Sequence, residues 1–154
     1  MTTLRDQQSA LIAALAGNAP VPAGFDAGRV NAAASALAFK RARAVAQAWP
    51  SVRVMLGDDF RARFGAYAAN TRLPQQGGPL GDGFLFVHYL ATQMPLADEV
   101  KLQRLSVDAR YRRTRTGLSP RRLPRIRVAW LAKARCTVIA LGAWRFRLQW
   151  PRLG

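Results

Sequence analysis

Between Ala36 and Tyr67 the chain runs ALAFKRARAVAQAWPSVRVMLGDDFRARFGAY, and this stretch limits the available folds more than any other. An alanine-rich helical run meets Trp49-Pro50, where the proline ring removes a backbone donor and ends the helix. Pro50 is well suited to open the next helix at its first turn. Val52, Val54, Met55 and Leu56 continue that helix and Gly57 stops it. Asp58 then reads as the cap of another helix, in which Phe60, Phe64, Tyr67 and Ala68 share one face at core-stripe spacing.

The flanking residues extend this pattern. Thr3 and Asp6 have capping-box spacing, Leu4, Leu11, Ile12 and Leu15 recur on one helical face, and Gly17 is the expected stop. Asn18–Gly24, with Pro20 and Pro22, reads as an extended linker. Asp26 caps a long helix to Trp49, with Val30, Ala33, Ala34, Leu37, Ala44, Val45 and Ala48 inward and Lys40, Arg41 and Arg43 mostly outward. Residues 70–81 form a glycine-rich loop, after which Asp82 is expected to cap a fifth helix with Phe84, Val87, Leu90 and Ala91 inward. Asp98 and Glu99 favour a helix start through the macrodipole, so a helix is expected over 98–113, followed by a basic loop over 114–124.

Beyond Pro124 the hydrophobic period changes from helical to two. Ile126, Val128 and Trp130 alternate along one strand, and Cys136, Val138 and Ala140 along a second. The third strand divides most cleanly, with Trp144, Phe146, Leu148 and Trp150 on one side and Arg145 and Arg147 on the other. The expected class is therefore mainly α within an α+β fold. A bundle of five to six helices over 1–97 precedes a basic module over 98–154, in which a helix or linker leads into a three-stranded antiparallel meander with connections of three to four residues.

Charge is distributed very unevenly. The chain carries +16 at pH 7, yet all eight acids lie at or before Asp108. Residues 109–154 hold 13 lysines and arginines and no acid. A solvated face ordinarily mixes both signs, so this one is expected to meet a polyanion, an acidic peptide or an anionic surface. The candidate binding residues are Arg110, Arg112, Arg113, Arg115, Arg121, Arg122, Arg125, Arg127, Arg145 and Arg147. They could grip an acidic peptide added at the open sheet edge, or hold nucleic-acid phosphates without reading sequence.

Catalytic chemistry finds no support. One histidine and one cysteine cannot assemble the three or four ligands of a zinc or iron site. Asp58-Asp59 and Asp98-Glu99 are adjacent on helices, pointing about 100° apart, and are better read as helix-start residues. Cys136 lacks a second histidine to act as base and reads as a buried strand thiol. Gly77–Gly83 lacks a P-loop lysine. No catalytic residue, metal or cofactor is expected. A lone cysteine, no signal region and no apolar run near 18 residues predict a cytoplasmic protein without a transmembrane segment.

The segments LRDQQSALIAALAG at 4–17, FDAGRV at 25–30, RARAVAQAWPSVRVMLGDDFRARFGAYA at 41–68 and GDGFLFVHYLA at 81–91 resemble a bacterial helical domain first labelled as DNA-binding. That domain is now associated with HvfC/BufC/MbnC-like accessory proteins. Trp49, Pro50, Leu56, Gly57, Phe60, Tyr67 and Ala68 carry most of the likeness, which covers about residues 4–95. The resemblance implies a non-catalytic partner subunit that pairs with a multinuclear-iron oxygenase and helps to present a precursor peptide for cysteine modification. The C-terminal part here is short and arginine-rich beside the family's pattern.

Overall fold

The computed structural model describes residues 3–16, 19–131 and 136–149. In chain order these form α1 (Leu4–Leu15), α2 (Ala27–Ala48), α3 (Pro50–Leu56), a single 3-10 turn (Gly57–Asp59), α4 (Phe60–Ala69), α5 (Gly78–Ala91) and α6 (Asp98–Arg110). Five strands follow: β1 (Tyr111–Thr114), β2 (Gly117–Pro120), β3 (Ile126–Leu131), β4 (Cys136–Leu141) and β5 (Trp144–Gln149). The α+β class, a helical bundle followed by a three-stranded antiparallel sheet, is as the sequence predicts. The stop expected at Gly17, the linker start at Asn18 and the end of the last strand at Trp150 lie outside the described residues.

The cap chemistry explains where the first two helices begin. Thr3 and Asp6 form the reciprocal capping box, the Asp6 amide donating to Thr3 and the Thr3 amide to the Asp6 carboxylate. Asp26 accepts from the Arg29 amide at the head of α2. Trp49 separates α2 from α3, Pro50 opens α3, and Gly57 ends it with φ +54°.

Two expected caps are corrected. Asp58 lies in the 3-10 turn, and the start of α4 has no side-chain cap. Asp82 does not begin α5, which starts four residues earlier at Gly78 behind the left-handed Gly77. Gly81 can lie close to the Gln76 carbonyl, where an added Cβ would sit at 2.8 Å, so the glycine-rich run enters the helix early.

The main core is the predicted aromatic stripe with its partners. Phe60, Phe64 and Tyr67 of α4 meet Phe86 of α5, with ring centroids 5.1 to 5.9 Å apart, and Val45, Trp49 and Val52 complete the cluster. Several expected core positions are exposed instead: Leu4 and Ile12 on α1, Ala33 and Leu37 on α2, and Ala91 on α5. Alanine-rich α2 packs closely along one narrow line, which leaves the margins of its apolar stripe in water.

Helix α6 stands between two cores. Val100 and Val107 enter the helical cluster, while Leu105 and Ala109 join Leu131, Cys136, Val138 and Ala140 under the sheet. Gln103 ties it to the α2–α3 junction, donating to the Ala48 carbonyl at 2.8 Å and accepting from the Ser51 hydroxyl at 2.5 Å. The helix expected over 98–113 ends at Arg110, because Tyr111–Thr114 pairs with Gly117–Pro120 as a hairpin that takes the last three residues of the expected helix and the first part of the expected loop. That hairpin is clamped to the helical domain: the Gln76 amide donates to the Thr116 carbonyl and the Leu118 amide to the Gln76 carbonyl.

Strands β3, β4 and β5 form a meander in that order. The β4–β5 turn is two residues rather than three or four, with Gly142 at φ +59°, while the β3–β4 connection lies outside the described residues. Register places Arg127, Ala140 and Arg145 in one row, and Ala129, Val138 and Arg147 in another. The arginines thus share the sheet face that α6 covers. The opposite face carries the aromatics and is open to water, with Trp144 at 71% and Phe146 at 56% exposure. Small side chains at Ala129, Cys136, Val138 and Ala140 allow a helix to approach, which the bulky face would not permit.

Candidate binding face

Ten arginines are the sequence candidates, and the structure gives them different surroundings. Arg112 and Arg113 sit exposed on β1 and Arg115 in its turn, Arg110 ends α6, and Arg122 and Arg125 are exposed on the segment entering β3. Arg127 is half-buried in β3, while Arg145 and Arg147 are exposed on β5. On the pleated sheet Arg127 and Arg145 stand two strands apart, about 10 Å, and Arg145 and Arg147 about 7 Å apart along one strand.

Arg121 is different. Its Nε donates to the Tyr111 carbonyl at 2.8 Å and to the Asp108 carbonyl at 3.4 Å, and its own amide donates to Arg110. It ties the end of α6 to the segment leading into β3. Desolvation pulls its guanidinium down from the ordinary arginine range, and the charges of Arg125, Arg127 and Arg112 add to that. The grouping identifies a cationic cluster around the end of α6, one that an anion would relieve.

A second charged constellation escaped the sequence reading. Arg41, one of three cations expected mostly on the outer side of α2, turns inward and forks Asp82, with Nε to Oδ2 at 2.6 Å and Nη2 to Oδ1 at 2.8 Å. Its Nη1 donates to the Thr71 carbonyl at 3.0 Å, and the guanidinium lies 5.5 and 5.6 Å from the Tyr67 and Phe64 ring centroids. Tyr67 donates its hydroxyl to Asp82 Oδ1 at 2.9 Å. The Asp82 side chain is 1% exposed. A buried carboxylate survives only when paired and hydrogen-bonded, and here the fork and the phenol both serve it.

Burial pushes the Tyr67 hydroxyl up, and the neighbouring Asp82 charge adds to the shift. Burial alone would lower Arg41, but its bonds to Asp82 outweigh that and raise it. Because the folded-state pKa of Tyr67 lies above the unfolded value of about 10, its contribution to stability is complete below that value and fades above it. Urea midpoints taken from about pH 8 to about pH 11 are expected to fall more steeply for the wild type than for Tyr67→Phe. Parallel slopes would contradict a buried phenol on Asp82.

Arg41 and Asp82 also border a cavity of about 450 Å3 between α1, α2, α4 and the 73–79 segment, walled mainly by Ala34, Leu37, Ala38, Ala44 and Ala68. Both charged groups are already satisfied, so neither offers the free polar atom that orients a substrate. Among the described residues no three histidine, cysteine or acidic side chains approach closely enough to hold a metal ion.

The helical part of this geometry has known relatives. The model of the SCO6045-like C-terminal domain matches residues 5–92, more than half of the chain. The chain belongs to the SCO6045-like C-terminal domain family. A UPF0276 protein of Streptomyces avermitilis is 40% identical over 83 residues, covering 54% of this chain and 17% of that relative. The chain thus matches only a small part of the length of that curated relative, and no solved structure matches. The SCO6045-like match takes in Arg41, Trp49, Tyr67 and Asp82 and stops before α6, so the arginine-rich face lies outside it. No helix among the described residues is long and apolar enough to cross a membrane.

Proposed function

We propose that this chain is a non-catalytic accessory protein of the cytoplasm, in which the SCO6045-like helical unit docks a partner enzyme. The arginine face binds an acidic surface of that partner or of a precursor peptide. The observation that carries this reading is the division of the chain into two parts. The buried chemistry of the helical unit is spent on internal pairing, while the later segment displays cations with no acid to balance them. The S. avermitilis relative supports a docking role, since there the matching segment is a minor part of a much longer chain. The likeness to the HvfC/BufC/MbnC group supplies the partner class, a multinuclear-iron oxygenase acting on a ribosomal peptide.

Co-purification with the tagged chain from the native host is expected to recover an iron oxygenase. Recovery of nucleic acid alone, abolished by nuclease, would reject the reading. Arg145→Glu with Arg147→Glu is expected to weaken partner binding at least tenfold while leaving the unfolding midpoint nearly unchanged, because both side chains are exposed.

Crowding of Arg112, Arg121, Arg125 and Arg127 favours one second reading, a phosphate-binding face for nucleic acid. Contacts through about six arginines would lose on the order of 10³ in affinity between about 50 and 200 mM salt. Binding of duplex and single-stranded DNA near zero at low salt would remove it.

A further inference from the structure

The open face of the β3–β4–β5 sheet is the largest feature that the accessory role leaves unused. Ile126, Val128 and Trp130 of β3, Leu141 of β4, and Trp144, Phe146 and Leu148 of β5 are between 38% and 71% exposed. Register puts them all on one side, together with Ile139 and Thr137. With a whole aromatic side chain amounting to about 150–250 Å2, the seven leave on the order of 700 Å2 of apolar surface in water. Soluble monomers rarely expose a contiguous patch of that size.

The pattern is that of an inner layer. An antiparallel sheet with one face packed on a helix ordinarily shows polar residues on the other, whereas this one shows the composition of a sandwich interior. We infer that a second copy of this chain covers the face, two sheets stacking about a twofold axis with Val128, Trp130, Trp144 and Phe146 in the contact. Each copy presents a three-stranded apolar surface, and the area per partner approaches the roughly 800 Å2 of a stable dimer. A twofold contact is self-complementary by construction.

Charge decides between occupants. The charged side chains of these strands, Arg127, Arg145 and Arg147, project from the opposite face, so the apolar face offers nothing with which to select an acidic partner. Stacking keeps those arginines outside the contact. What opposes association is the repulsion between two chains of +16 each, and salt screens it over about 8 Å at physiological ionic strength. The dimer therefore tightens as salt is added, the reverse of any complex held by the arginines. This inference uses other residues than the accessory role and stands independently of it.

Sedimentation equilibrium of the full chain at about 50, 150 and 500 mM NaCl tests it. The expected result is a monomer–dimer equilibrium in the micromolar range, with the dissociation constant falling several-fold across the series. Emission of Trp130 and Trp144 shifts to the blue as dimer forms. Trp144→Ser with Phe146→Ser is expected to weaken dimerisation at least a hundredfold, and Val54→Ser, at an exposed site of the helical domain, to leave it unchanged. Should the double variant lose its sheet by circular dichroism, Val128→Lys on the other edge strand gives the same reading.

A monomer up to about 100 µM at the highest salt overturns the inference. So does a dimer that survives Val128→Lys, or one that weakens as salt rises. Phosphatidylglycerol vesicles added to the dilute protein provide the remaining control. A Trp144-dependent blue shift on vesicles without self-association would assign the face to an anionic lipid surface instead.

Discussion

Replacing Asp82 by alanine is expected to destabilise the fold by about 3–5 kcal/mol, read as a lower urea midpoint at unchanged slope. The change leaves the Arg41 guanidinium, 10% exposed, without its carboxylate, and the Tyr67 hydroxyl with only the longer contact to the backbone carbonyl at 82, 3.3 Å. An unpaired buried cation costs far more than the pair contributes, because the interior cannot replace the lost hydration. Asp82→Asn keeps the shape and one acceptor but not the charge, and should fall between wild type and alanine. Arg41→Ala strands the carboxylate and should match Asp82→Ala. Arg41→Met with Asp82→Leu removes both charges together and should recover a large part of the loss. A loss below about 1 kcal/mol for Asp82→Ala would mean that water reaches the pair, as at a surface salt bridge.

Trp49→Ala is expected to cost about 3–5 kcal/mol by removing the largest buried side chain at the α2–α3 junction. The indole is fully buried, lies 6.4 Å from the Phe84 ring centroid, and donates Nε1 to the Leu80 carbonyl at 3.0 Å. Its face rests on Gly83, where an added Cβ would fall 2.0 Å from the ring. Gly83→Ala should therefore destabilise by about 1–3 kcal/mol or more through overpacking. The two changes should not add. With the indole gone, the alanine at 83 has room, so the double variant should lose less than the sum of the singles. Simple additivity would show that the indole does not rest on Gly83.

Much of the helical unit could be read from residues alone. Trp49-Pro50, Gly57 and the Phe60–Phe64–Tyr67–Ala68 spacing locate a break, a stop and a core face through local chemistry that needs no partner. The caps were harder. An aspartate before an apolar run looks the same whether it caps a helix or lies within one, and only the approach of Arg41 from 41 residues away distinguishes Asp82 from a cap. Arg41 is indistinct for the same reason. Among Lys40, Arg41 and Arg43, nothing local says which cation finds a buried anion. The candidate arginine face was legible as composition, since the missing acids are visible in the sequence. Its division was not, because Arg121 is committed to carbonyls of Asp108 and Tyr111 that hairpin formation brings near.

The amino-acid sequence by itself determined the α+β class, the helix boundaries at Thr3, Asp26, Trp49 and Gly57, the three-stranded meander and the acid-free C-terminal segment. Each follows from backbone geometry, periodicity or charge within a few neighbouring residues. Only the tertiary structure decided that Asp82 and Arg41 form a buried pair, that α6 serves two cores, and which face of the sheet the helix covers. Alternation on β5 separates aromatics from arginines but cannot tell inside from outside. The helix settles it by packing on the small side chains of β4, and this leaves Trp144 and Phe146 in water.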